Sequence, residues 1–155
     1  MVVEKEASLY ASVGGLEGLR RLSQRFYELV QSDEVLASVF ATFPPDHVEH
    51  VAVWLGEVFG GPPGFTEHYG GHQALLASHL GLHIRDEQRI RWLALMSRAI
   101  DEILPGRPAL HRVLMAYFDW GTRIAQQVSQ QPSGTDLGDP GPTPRWDREG
   151  LVREA

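Results

Sequence analysis

Cysteine is absent from the 155-residue chain. Its absence excludes disulfides, thiolate zinc sites, iron–sulfur clusters and cysteine nucleophiles. An excess of positive charge is missing too: 14 Lys and Arg against 20 Asp and Glu leave a net charge of −6. Neither nucleic acid nor an anionic membrane surface is therefore expected as the main partner, since both select for clustered Lys and Arg. No apolar run approaches the roughly 20 residues needed to cross a bilayer. The opening Met-Val-Val-Glu-Lys-Glu lacks the basic-then-apolar order of a signal peptide, so a soluble cytoplasmic protein is expected. Strand-like alternation is also lacking. What the chain does have is 43% apolar residues, enough for one domain with a real core.

Composition shifts near residue 129. From there to Ala155, four prolines and four glycines fall within 27 residues, and Pro140, Pro142 and Pro144 occupy alternate positions. That spacing excludes helix and disfavours a paired strand. The domain is thus expected over 1–128. A flexible, disordered Pro/Gly-rich tail follows over 129–155, with Trp146 as its one candidate docking element. Within the domain the apolar period is helical throughout. Leu19, Leu22, Phe26 and Leu29 follow Gly14-Gly15. Asp46 and Glu49 have capping-box spacing after Pro44-Pro45 and open a helix carrying Val48, Val51, Ala52, Leu55, Val58 and Phe59. A third helix starts near Asp86 and ends before Pro105, and a fourth spans about Pro108 to Val128. The fold class is all-α.

Residues 60–85 resist this pattern. They combine eight glycines and prolines with Phe65, Tyr69, Leu75, Leu76, Leu80, Leu82 and Ile84, a poor helix and a poor solvated loop. Something must cover those apolar side chains. Six of the seven histidines lie between positions 47 and 83, and His47/His50, His68/His72 and His79/His83 have metal-like spacing. Glycines interrupt two of these pairs, and no His-Glu-x-x-His occurs. Geometry ranks two histidines above the others. At about 100° per residue, His47, Val51, Trp54 and Val58 align within about 40°, so His47 ends an apolar stripe. His79 sits among leucines. An imidazole packed simply against apolar neighbours would be unsatisfied. Two such rings on separate apolar surfaces fit a flat apolar cofactor that carries a metal, such as haem held by one histidine. A non-haem metal site built from the histidine cluster and a cofactor-free helical sensor or adaptor are the alternatives.

From about Ser8 to Val128 the chain resembles the truncated haemoglobins, more narrowly their group II branch. The resemblance rests on Leu9-Tyr10 with Gly14-Gly15, Arg25-Phe26-Tyr27, Val39-Phe40, and His47-Val48-x-His50-Val51-x-x-Trp54-Leu55 running into Phe59-Gly60-Gly61-Pro62. It continues through Tyr69-Gly70, Gly71-His72, His79 and Arg89-x-x-Trp92-Leu93. The order and spacing of these pieces carry the likeness more than any single one.

The resemblance implies a globin-like two-over-two helical sandwich around haem b (iron protoporphyrin IX), with His79 as the ligand to iron. Phe40 would pack on the haem, His47 and Val51 would come from the helix over its distal face, and Tyr27 and Trp92 would point donors at a bound ligand. Tyr69, His72, Leu75, Leu76, Ile84, Trp92 and Met96 complete the expected haem wall. Two features depart from the commoner group II pattern. His47 stands where many members have a small residue, and it would serve as a third donor, a swinging gate or an internal iron ligand. Ala77-Ser78-His79 lacks the arginine that many members place beside the proximal histidine, leaving His72, Arg85 and Arg89 as candidate partners for a haem propionate. The expected function is reversible binding of O2, NO, CO and similar diatomic ligands, by a monomer or homodimer. Nitric oxide dioxygenation or weak peroxidase chemistry suits tight O2 binding better than bulk oxygen transport. Both reactions would need a separate, unidentified reductase, since no flavin or nicotinamide motif is visible.

Overall fold

Ser8 opens the first element. Its hydroxyl accepts the Ala11 N–H at 3.1 Å and starts the four-residue helix α1 (Leu9–Ser12). The chain then reverses through Gly14, at φ 88°, into α2 (Gly15–Gln31). The approach is tight: a β-carbon on Gly18 would lie 1.8 Å from the Val13 carbonyl oxygen. Leu19, Leu22, Phe26 and Val30 face inward from α2 and are fully buried, as their three- and four-residue spacing requires. The computed structural model describes residues 8–41, 44 and 46–152. Residues 1–7, with the opening Met-Val-Val-Glu-Lys-Glu, 42, 43, 45 and the last three tail positions lie outside the described residues.

Helix α3 (His47–Val58) begins where expected, with Asp46 at its N-cap, but not through a capping box. Asp46 pairs with His50 at 3.2 Å, and the Glu49 carboxylate accepts the Arg20 guanidinium at 2.7 Å. An arginine on the neighbouring helix outcompetes the local backbone donor, and α3 is tied to α2 instead.

The glycine-rich stretch is more helical than its composition predicts. It holds α4 (Gly64–Tyr69) and α5 (Gly71–Ala77), separated by Gly70 at φ 89° and Gly71 at φ 70°. Glu57, buried near the end of α3, makes this work. Its carboxylate accepts the Thr66 N–H at 2.8 Å, satisfying one of the orphan donors of the first turn of α4. Helices α6 (Asp86–Ile103) and α7 (Pro108–Ser129) follow, with proline at the start of α7 where its missing N–H costs nothing. Helix α2 packs on α3 and α6, and α6 packs on α7. Two helix pairs therefore enclose one core.

Composition predicts disorder after residue 129, but the described part of that segment lies along the domain. Gly81 N–H donates to the Gln131 carbonyl at 2.7 Å. Further on, β1 (Trp146–Asp147) and β2 (Gly150–Leu151) form a minimal antiparallel hairpin. Trp146 is 8% exposed, its ring 5.6 Å from Tyr117 and 5.5 Å from Trp120. One large aromatic docking on two others, with glycines absorbing the positive-φ turns, provides contacts that average composition does not register. No helix among the described residues is long and apolar enough to cross a membrane.

Candidate functional site

Tyr27 occupies the inward face of α2 and is 8% exposed. Its hydroxyl and His47 Nε2, at the start of α3, are 2.9 Å apart, and their rings meet edge to face at 5.1 Å. Phe40, from the irregular stretch between α2 and α3, lies 5.8 Å from the Tyr27 ring. Burial pushes the Tyr27 phenol well above its ordinary range. The same cause lowers His47 to about 4, assisted by repulsion from His50 and His79 and opposed by Asp46. At neutral pH the pair is an uncharged phenol beside an uncharged imidazole.

His79 follows the last turn of α5. Its Nδ1 lies 2.9 Å from the Leu75 carbonyl oxygen. A carbonyl only accepts, so Nδ1 carries the proton and Nε2 of the neutral ring keeps a bare lone pair. Burial lowers the His79 pKa, with the Leu75 carbonyl working the other way, so the neutral form dominates near pH 7. Fixing the non-ligating nitrogen on a carbonyl is how metal-binding imidazoles are oriented.

Seven of the apolar side chains expected to line the site are only half-buried: Phe40, Val51, Tyr69, Leu75, Leu76, Ile84 and Trp92. They contrast with the fully buried residues of the same helices. A wall of this kind fits a flat apolar group better than helix-on-helix packing. Met96 differs from them in exposure. At 1% exposure it is part of the protein core, because its helical phase matches Ala99 and Ile100. Trp92 packs on Phe26 at 4.7 Å and Phe118 at 5.4 Å.

The other histidines of the 47–83 cluster have separate surroundings. His50 lies over Tyr69 at 4.1 Å, His72 stacks on Trp54 at 5.9 Å, and His68 and His83 are exposed. Among the described residues, no three of His, Asp and Glu converge as a metal site. Of the three candidate propionate partners, Arg89 is committed to Asp119 and to Thr122 Oγ1 on α7. Arg85 is exposed beside Glu87. His72 has a buried Nδ1 without a hydrogen-bond partner. Sequence reasoning did not find Glu57, the Leu75 carbonyl as the partner of His79 Nδ1, or the Tyr27–His47 bond; a lone glutamate inside the apolar run Leu55-Gly56-Glu57-Val58-Phe59 was the available signal for Glu57.

The profile of the family described as "Bacterial-like globin" matches residues 8–116. The chain belongs to that family. A group 2 truncated haemoglobin of Bacillus subtilis is 35% identical over 89 residues, 57% of this chain and 67% of that one. Among solved structures, the haemoglobin of Chloroflexus aurantiacus superposes with a TM-score of 0.68 at 30% identity, over 80% of this chain and 98% of its own. The truncated oxygen-avid haemoglobin of Bacillus subtilis gives 0.67 at 29%, over 79% and 99%. The two helix pairs described above are thus the truncated-globin sandwich, and the protein is a haem-binding globin.

Proposed function

We propose that this globin would hold haem b through His79 Nε2 and bind O2 tightly beside Tyr27 and His47, for redox chemistry on the bound gas rather than bulk transport. The observation that carries the proposal is the committed Nδ1–H of His79, 2.9 Å from the Leu75 carbonyl. It leaves one nitrogen to offer, within the electrostatic reach of His47. Phe40, Val51, Tyr69, Leu75, Leu76 and Ile84 would line the macrocycle. The iron supplies the bond to the diatomic ligand, and the chain's own residues determine how long that ligand stays.

Tyr27 and His47 decide it between them. A neutral imidazole and a phenol share two protons. If His47 Nε2–H donates to the Tyr27 oxygen, the Tyr27 O–H can turn toward a partly negative ligand; in the other arrangement it is spent on His47. Trp92 adds an indole N–H from α6. A hydrogen bond to a charged group contributes about 1.5–3 kcal/mol, or roughly tenfold to a hundredfold in ligand release. Tight O2 binding also accords with the name of the oxygen-avid relative. Nitric oxide is a fitting second substrate. NO, O2 and one electron balance to one nitrate, and the electron would come from a separate reductase.

Stopped-flow O2 release tests this. Tyr27→Phe should accelerate release by about tenfold to a hundredfold, and His47→Gln by less, since it removes the partner and keeps the donor. Equal rates in wild type and Tyr27→Phe would contradict the assignment. Mixing the O2 complex with NO should yield nitrate one for one; nitrite as the product would exclude dioxygenation.

A further inference from the structure

All four tryptophans of the chain belong to one connected group of side chains. Trp92 touches Phe118 at 5.4 Å, Phe118 touches Tyr117 at 5.2 Å, and Tyr117 lies 5.6 Å from Trp146 and 6.3 Å from Trp120. Trp54 donates its indole N–H to the Tyr117 hydroxyl at 3.0 Å. Only 9% of the chain is aromatic, yet these six rings lead from the expected haem wall, at Trp92, to the hairpin of the docked tail. We propose that they form an electron path. Through it, an oxidising equivalent generated at the haem by hydrogen peroxide reaches Trp120 and Trp146, where small phenolic donors quench it. The proposal rests on the haem reading above.

The chemistry balances. Reducing one hydrogen peroxide to two waters takes two electrons and two protons. The haem group, when bound, would supply one electron, and an indole of the path gives the second. Trp120 is half-buried, so its oxidised indole can release the N–H proton to water. Two molecules of a phenolic donor, each giving one electron and one proton, restore iron and indole. Tryptophan gives up an electron readily and phenylalanine does not, so the indoles are the stations and Phe118 the bridge. Tyr117 also bridges: a phenol must shed its proton to hold a radical, and Tyr117 is 5% exposed with its hydroxyl accepting from the Trp54 indole. The Trp146 indole nitrogen is buried without a partner, so of the two terminal indoles Trp120 is the better outlet for the proton.

The test uses the full chain loaded with haem. Loading is read first from its Soret band; failure there would remove the haem reading itself, before this one is reached. The ferric protein is treated with one equivalent of hydrogen peroxide and a spin trap, and adducts are located by peptide mass spectrometry. Adducts should concentrate on Trp120 and Trp146. In Trp120→Phe/Trp146→Phe they should move to Trp92, and haem bleaching by peroxide should rise several-fold. If the double variant fails to fold, Trp120→Phe alone should concentrate the adduct on Trp146. Wild-type adducts confined to Tyr27 and Trp92, unchanged bleaching in the variant, or equal labelling of haem-free protein would each overturn the proposal.

Discussion

A buried imidazole with one nitrogen on a carbonyl has one nitrogen left for a ligand, and that constraint organises the pocket. His79 meets it through Leu75; His47 spends its Nε2 on Tyr27. The two rings differ for reasons only partly legible in sequence. The leucines around His79 and the apolar stripe below His47 marked both as imidazoles in apolar surroundings. The carbonyl of Leu75 was not legible, because its position depends on how α5 ends. Burial also has a pH consequence. Both histidines have pKa values below the unfolded value of about 6.5. Between pH 6.5 and about 4 the unfolded chain therefore binds more protons than the native one, and stability falls as pH falls through that window. Thermal melts of the haem-free protein should show this loss, and His47→Gln should remove part of it. A melting temperature that is flat over the window would show that His47 is not held neutral by the fold.

At the scale of elements, close approach decides more than propensity does. Helix α2 begins against α1 so tightly that Gly18 has no room for a methyl group. Gly18→Ala should destabilise the protein by about 1–3 kcal/mol, read as a shift in urea midpoint at unchanged slope. A neutral outcome would mean that the α1–α2 turn is not tightly held. The long helices were legible from apolar spacing, since their buried faces recur at the helical period. Helices α4 and α5 were not: seven glycines and prolines from Gly60 to Gly71 outweighed the local signal. The feature that rescues α4 is the long-range bond from Thr66 N–H to the buried Glu57 carboxylate. A three-residue capping pattern at Asp46 misled in the opposite sense, because Arg20 on α2 takes Glu49.

For the molecule as a whole, the tail closes the circuit between both ends of the chain. Arg148 donates to the Ser12 hydroxyl at 2.9 Å, and Trp146 sits on Tyr117 and Trp120. Trp146→Ala should therefore destabilise the folded protein by about 3 kcal/mol, roughly 10 °C in melting temperature for a chain of this size. No change would show that the hairpin contributes nothing to the domain. The central claim concerns the haem and its ligand, and the absorption spectrum of the reduced protein before and after carbon monoxide tests it most directly. The account predicts a strong Soret band that shifts with carbon monoxide, is lost or greatly altered in His79→Ala, and returns when free imidazole is added to that variant. A wild-type protein without a Soret band after haem is supplied, or a His79→Ala spectrum identical to wild type, would contradict it.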